Sequence, residues 1–278
     1  MKSTQVKTII KNAINILKKY WAICILTFLI TIVIKYFCRV TDSDALKWIL
    51  TPTARWVSVL GGIPFEYIPH MGYVNHYHRF LFAPACSGTR FMLLTFLMCI
   101  FSFLYQIEDR RKGYLWFVFS AVFAYASTIF VNGLRIIASI YIPIRLEAWN
   151  LMDGRLTQDR LHTMIGTGIY FSSLLMIYML ASFICRRIFI KAETQCADQA
   201  ENHTNNTLEH SKKLRTIIVP SFWYLSIVLA LPFLSRLYHN EWTGFGQYAA
   251  IIICTCSGIT LIMLIVTCII MIKKNLHK

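Results

Sequence analysis

The stretch PACSGTRFMLLTFLMCIFSFLY, residues 84–105, decides how this chain is read. A short polar segment, Pro84 to Arg90, passes abruptly into an uncharged apolar run from Phe91 to Tyr105. About 20 apolar residues in a helix cross a bilayer. The stretch therefore reads as a transmembrane helix, about 88–105, whose start lies at a membrane surface with Cys86 beside it. Five further runs have the same character: Trp21–Phe37, Tyr114 to about Ile142, Leu161–Ile184, about 217–235 and about 249–272.

Composition agrees with that reading. The 278 residues are 56% hydrophobic and only 15% charged, against roughly 25% charged in soluble domains, and the mean hydropathy is +0.54. The expected fold is an all-α polytopic membrane protein with about six spans. The net charge of +15 is explained by basic residues that hold the cytoplasmic ends of membrane helices. The expected partner of that charge is the lipid bilayer, with no nucleic acid involved. Six of the nine cysteines (Cys24, Cys38, Cys99, Cys185, Cys254 and Cys268) lie in or beside apolar runs, where cysteine behaves as a small hydrophobe. Cys196 falls in a polar segment, and the C-x-C pair Cys254 and Cys256 is a weak metal or redox signal. Lysines 2, 7, 11, 18 and 19 precede the first span with no small-residue cleavage site after it, so the N-terminus reads as a retained anchor.

Four parts follow: a basic cytoplasmic N-terminus (1–19), a four-span core (20–187), a polar cytoplasmic linker (188–215) and a terminal transmembrane hairpin (216–278). Within the core, 41–60 reads as an interfacial amphipathic helix broken near Pro52, and 61–85 as a loop with Gly61-Gly62, Pro64 and Pro69. The third span is expected to stop at Pro143, with a polar loop at 145–160. The sequons at Asn202 and Asn205 fall in the linker, on the side where no glycan is added. With the N-terminus inside, the segments 1–19, 106–113, 185–216 and 273–278 become cytoplasmic and hold well over half of the lysines and arginines. Cys86, Arg135 and His162 then all lie at extracytoplasmic helix ends.

Those three residues carry complementary chemistry. Pro84 and Ala85 suit a helix start, where the helix dipole favours a thiolate at Cys86. Ser87 and Gly88 follow, Gly88 allowing another backbone to approach, and Arg90 is placed to add positive charge from the same helix face. Arg135, with Asn132 one turn before it, either snorkels or clamps an oxyanion or a substrate carboxylate. Asn132 suits holding that guanidinium or a substrate amide. His162 can take the thiol proton and return it to a leaving amine. The structural alternatives are a buried small cysteine, an interfacial arginine and a solvated histidine. His70, His76 and His78 compete with His162 as base; without carboxylate or cysteine at ligand spacing they make no metal site, and no cofactor is expected.

Ala85-Cys-Ser-Gly88, Asn132-Gly-Leu-Arg135, and His162 followed by Gly166 together resemble the exosortase/archaeosortase family, polytopic cysteine transpeptidases of the bacterial cytoplasmic membrane. The resemblance covers about residues 80–185. It implies Cys86 as nucleophile, His162 as base and acid, and Arg135 as stabilising cation. Ser87, Gly88, Arg90 and Asn132 would support them. The implied substrate is an exported protein ending in a short motif, a transmembrane helix and a basic tail, cut at the outer face and passed through an acyl-enzyme to a surface acceptor, a polysaccharide or a lipid-linked group. Typical members have about eight spans. The short N-terminal part here is similar to a small subtype such as exosortase K, and the terminal hairpin matches no part of the family pattern. Two other classes fit the same residues: a non-catalytic scaffold or assembly partner in surface export, and a membrane acyltransferase carrying a fatty acyl group on Cys86.

Overall fold

Residues 2–149, 157–189, 205–239 and 244–276 are described by a computed structural model. Among them, six helices are long and apolar enough to cross a membrane. In chain order the spans lie in α1 (Lys2–Val40), α3 (Thr89–Phe103), α4 (Arg110–Ala148), α5 (Gln158–Ile184), α6 (Asn205–Leu225), whose span runs on to Leu237, and α8 (Phe245–Leu276). The short α2 (Lys47–Gly61) and α7 (Leu231–His239) complete the helices. The expected all-α polytopic fold is what the chain adopts.

The helix that decides the fold lies at the centre of it. The most apolar window of the α3 span is 83% buried, against 11% for each of the last two spans. A helix that is apolar all round belongs inside a bundle, and α1, α4, α5 and α6 all pack against α3. The end of the bundle away from Cys86 is closed by α1. There the Tyr20 hydroxyl donates to the Ile107 carbonyl at 2.5 Å and Lys19 donates to the Glu108 carbonyl. The following helix begins where Asp109 accepts from the Arg111 amide at 3.0 Å, an N-cap that sets the start of α4.

Prolines do not end helices here as expected. The 41–60 segment is not broken at Pro52: α2 runs unbroken through it. Proline frees the carbonyl four residues earlier, that of Trp48, and the Tyr125 hydroxyl of α4 donates to it at 2.6 Å. The rings of Trp48 and Tyr125 stack, with centroids 5.8 Å apart. The same device recurs at Pro232, where the Val228 carbonyl accepts from the Tyr248 hydroxyl at 3.4 Å. Pro143 likewise lies inside α4, which continues to Ala148. Of the 145–160 loop, residues 150–156 lie outside the described residues.

The 61–85 segment is more ordered than a loop. It folds as an antiparallel sheet of β1 (Glu66–Ile68), β2 (Gly72–Asn75) and β3 (Phe80–Phe82), in the order β1-β2-β3. Tyr73 pairs with both Tyr67 and Phe82. Below it, Phe82 is fully buried and Tyr73 donates to Thr51 of α2 at 2.8 Å. At the α1–α2 junction Asp44 ties the sheet down. It accepts from the Tyr67 hydroxyl and from the His70 amide at 3.1 Å, and pairs with Lys47 at 2.9 Å.

The terminal hairpin packs on α5. Tyr224 of α6 is buried against Phe171, with ring centroids 5.4 Å apart, and Thr255 of α8 faces Gly168. The linker expected at 188–215 is interrupted, because α6 begins at Asn205 and enters the fifth span without a break. Residues 190–204 of that linker, with Asn202 and Cys196, lie outside the described residues. Cys256 is buried and Cys254 exposed, so the C-x-C pair does not converge. No disulfide occurs among the described residues.

Candidate active site

Cys86 closes a single 3₁₀ turn, Pro84–Cys86, immediately before α3. Its amide donates to the Ala83 carbonyl at 2.9 Å. The cysteine is therefore not in the first turn of α3, as the sequence suggested. Gly88 separates the two in a left-handed conformation, φ +77°, and the helix begins at Thr89. Such a φ suits glycine because L-residues clash there. What approaches Gly88 is a side chain and not a backbone: a Cβ at that position would lie 2.9 Å from Cγ of Asn132.

Asn132 is fully buried on α4 and uses both ends of its amide. Its Nδ2 donates to the Cys86 carbonyl at 2.8 Å, and its Oδ1 accepts from the Tyr170 hydroxyl at 2.8 Å. Next to it, Gly133 leaves room for the Trp56 indole of α2, whose Cδ1 would be 2.4 Å from an added Cβ. One turn beyond, Arg135 reaches α5. Its Nη1 donates to the Tyr170 oxygen at 3.2 Å and its Nη2 lies 2.9 Å from Nε2 of His162. Gly166 lets the guanidinium lie flat on α5, since a Cβ there would be 3.2 Å from Nε. Arg135 sits well inside α4, which runs on to Ala148, and its partners come from the neighbouring helix.

A continuous hydrogen-bonded chain results, with directions fixed by donor chemistry. Arginine can only donate, so Tyr170 accepts from Arg135, donates to Asn132, and Asn132 donates to the Cys86 carbonyl. The imidazole nitrogen facing Arg135 must be a lone pair. His162 is therefore neutral, with its proton on Nδ1. Among the described residues, no hydrogen bond joins the Cys86 thiol to His162; the two are linked through Asn132, Tyr170 and Arg135.

Tyr170 is the member that sequence reading missed. It stacks on Phe91 of α3, with centroids 4.7 Å apart and planes at 14°. Its spacing was a usable signal: His162, Gly166 and Tyr170 recur every four residues and share one helix face.

The remaining candidates lie elsewhere. Ser87 is buried, with its hydroxyl 3.2 Å from that of Thr89. Arg90 is exposed. The competing histidines are engaged at the sheet. His70 lies 3.2 Å from Asp44 and 3.6 Å from Asp42, His76 is 3.5 Å from Glu66, and His78 packs edge-on against Tyr141. Among the described residues, no group of three His, Cys, Asp or Glu side chains is arranged to share a metal ion.

Compared with known proteins, the chain matches a family model described as transmembrane exosortase over residues 12–179. The match takes in α1 to α4, the sheet and most of α5, with every member of the hydrogen-bonded chain, and stops before the terminal hairpin. No curated protein and no solved structure matches the sequence.

Proposed function

Since this chain belongs to the transmembrane exosortase family, we propose that it is a cysteine transpeptidase or peptidase of the cytoplasmic membrane, with Cys86 as nucleophile, His162 as base and acid, and Arg135 as the cation that stabilises the oxyanion. The observation that carries this reading is the hydrogen-bonded chain from the Cys86 turn to the His162 ring, built from that turn and the helices α4 and α5. A polar chain of this kind is expensive to bury among apolar helices, and it joins the backbone carbonyl of Cys86 to the imidazole of His162 while leaving Nε of Arg135 buried without a partner among the described residues.

In the proposed cycle, the Cys86 proton passes to His162 and the thiolate attacks a peptide carbonyl of an exported protein just outside the bilayer. The new C–S bond leaves a tetrahedral oxyanion. Arg135 leaves Nε2 of His162 as the substrate binds, before that nitrogen takes the thiol proton, and turns toward the oxyanion as it forms. The C–N bond then breaks, and His162 gives its proton to the leaving amine. An acceptor amine or hydroxyl, or water, attacks the acyl-enzyme, His162 takes its proton, the C–S bond breaks to release product, and His162 returns the proton to the Cys86 thiolate. Asn132 and Tyr170 position the reacting groups through the Cys86 carbonyl and the guanidinium. The outer-face location is supported by the basic segments gathered at the opposite helix ends. The proposed substrate ends in a short motif, an apolar helix and a basic tail, and the proposed acceptor is a surface polysaccharide or a lipid-linked group.

The test is processing of exported proteins in cells carrying Cys86→Ala, Arg135→Ala or His162→Ala, with each variant present in the membrane. Loss of processing in all three is expected. Unchanged processing with Cys86→Ala would rule the reading out, and an inert, inaccessible Cys86 in thiol labelling from outside would favour a non-catalytic scaffold.

A further inference from the structure

The two edges of the small sheet are not alike. β1 carries Glu66 and is flanked by Pro64 and Pro69, the charge and prolines that keep an edge from pairing. β3, Phe80-Leu81-Phe82, is itself uncharged, with Arg79 before it and Pro84 two residues beyond, and among the described residues its only neighbouring strand is β2. An apolar edge left open in this way is normally a liability, so its retention beside a reactive cysteine calls for a use.

The outward groups can be identified. Phe82 pairs with Tyr73, and its carbonyl faces β2, because a Cβ on Gly72 would lie 2.5 Å from that oxygen. Alternate residues of an antiparallel strand turn their backbone groups to opposite sides. Leu81 therefore directs its N–H and C=O away from β2, and its side chain is 42% exposed. The backbone stays extended through Ala83, at φ −92° and ψ 172°, and then enters the turn of Cys86. The open edge runs without interruption into the nucleophile.

We propose that β3 is the docking edge for the peptide substrate: the extended segment beside the scissile bond adds as a fourth strand, hydrogen-bonded to Leu81, and is led along it to Cys86. This inference rests on the cysteine peptidase reading above. A helix leaving the membrane keeps its carbonyls bonded within itself, so a peptide bond can be attacked only where the chain has unwound. Strand addition supplies the backbone partners that unwinding removes. It is nearly independent of side chains, and each added residue advances the chain by about 3.3 Å toward Cys86.

The test starts from whichever exported protein loses processing in the Cys86→Ala strain. Leu81→Pro removes the outward N–H and leaves the β2 pairing untouched, whereas Leu81→Ala keeps that N–H. Processing is expected to fall about tenfold or more with Leu81→Pro and to stay near wild type with Leu81→Ala, at equal thiol labelling of Cys86. Should Leu81→Pro fail to accumulate, p-benzoylphenylalanine at position 81 in the Cys86→Ala background replaces it. A crosslink to that same protein within a few residues of its cleavage site is then expected. Normal processing with Leu81→Pro, or no such crosslink, overturns the docking edge while the role of Cys86 stands. Normal processing with Cys86→Ala removes both.

Discussion

Nη2 of Arg135 and Nε2 of His162 lie 2.9 Å apart, so the guanidinium holds the lone pair that a general base must use. In the resting arrangement the imidazole is oriented but occupied, and a substrate that draws Arg135 away releases it. A lysine in place of Arg135 has one nitrogen and cannot hold Tyr170 and His162 together. Arg135→Lys is expected to slow processing about a hundredfold while the protein remains in the membrane, as measured by conversion of the precursor in pulse–chase labelling.

Tyr170→Phe keeps the stack on Phe91 and removes only the hydroxyl. Oδ1 of Asn132 and Nη1 of Arg135 then lose their common partner. A loss of about 1–3 kcal/mol in stability is expected, with a larger fall in processing rate than that loss explains. Thermal unfolding in detergent and precursor conversion would be compared on the same preparation.

Two glycines with left-handed backbones form a matched pair. A Cβ at Gly88 meets Asn132 at 2.9 Å, whereas a Cβ at Gly62, φ +63°, meets nothing within 4 Å. Each alanine costs about 1–2 kcal/mol in conformation. Only Gly88→Ala is expected to abolish processing, because only it displaces the amide that holds the Cys86 turn.

Tyr125→Phe leaves the Trp48 carbonyl, already freed by Pro52, without its donor. Stability is expected to fall by about 1–3 kcal/mol, and the exchange of α2 amides to rise, as read by hydrogen–deuterium mass spectrometry.

The Tyr67 hydroxyl, with Lys47 and the His70 amide, holds the Asp44 carboxyl well below the usual carboxylate range. A lowered folded value means that this anchor contributes fully above the unfolded value of about 4 and fades as pH falls through the lower one. Protection from hydrogen exchange across residues 66–82, taken relative to the intrinsic amide rate at each pH, should therefore fall below about pH 4 in the wild type, and show no such step in Asp44→Asn.

The spans were legible because an apolar run long enough to cross a bilayer has few other readings. Helix ends were less so. Pro52 and Pro143 look like stops, and at Pro52 the stop is cancelled by the Tyr125 hydroxyl, 77 residues along the chain from the Trp48 carbonyl it bonds, which no local pattern reports. The sheet escaped notice because its strands are three or four residues long and separated by turn residues. Cys86, Arg135 and His162 stood out as polar residues beside apolar runs. Tyr170 did not, since tyrosine is unremarkable in a membrane helix and only its spacing from His162 marks it. Arg90 looked like a helper from its spacing along α3, yet its side chain is exposed.

The hydrogen-bonded chain draws on the Cys86 turn before α3 and on α4 and α5, and that fixes an order of assembly during synthesis. The ribosome delivers the thiol first, the guanidinium a whole span later, and the imidazole last, at the start of the fourth span. Until that span is inserted, Cys86 lacks the tyrosine that joins Asn132 to Arg135 and, under the proposed mechanism, its base. Under that mechanism a nascent chain carries an inert thiol past every exported protein it meets at the insertion site.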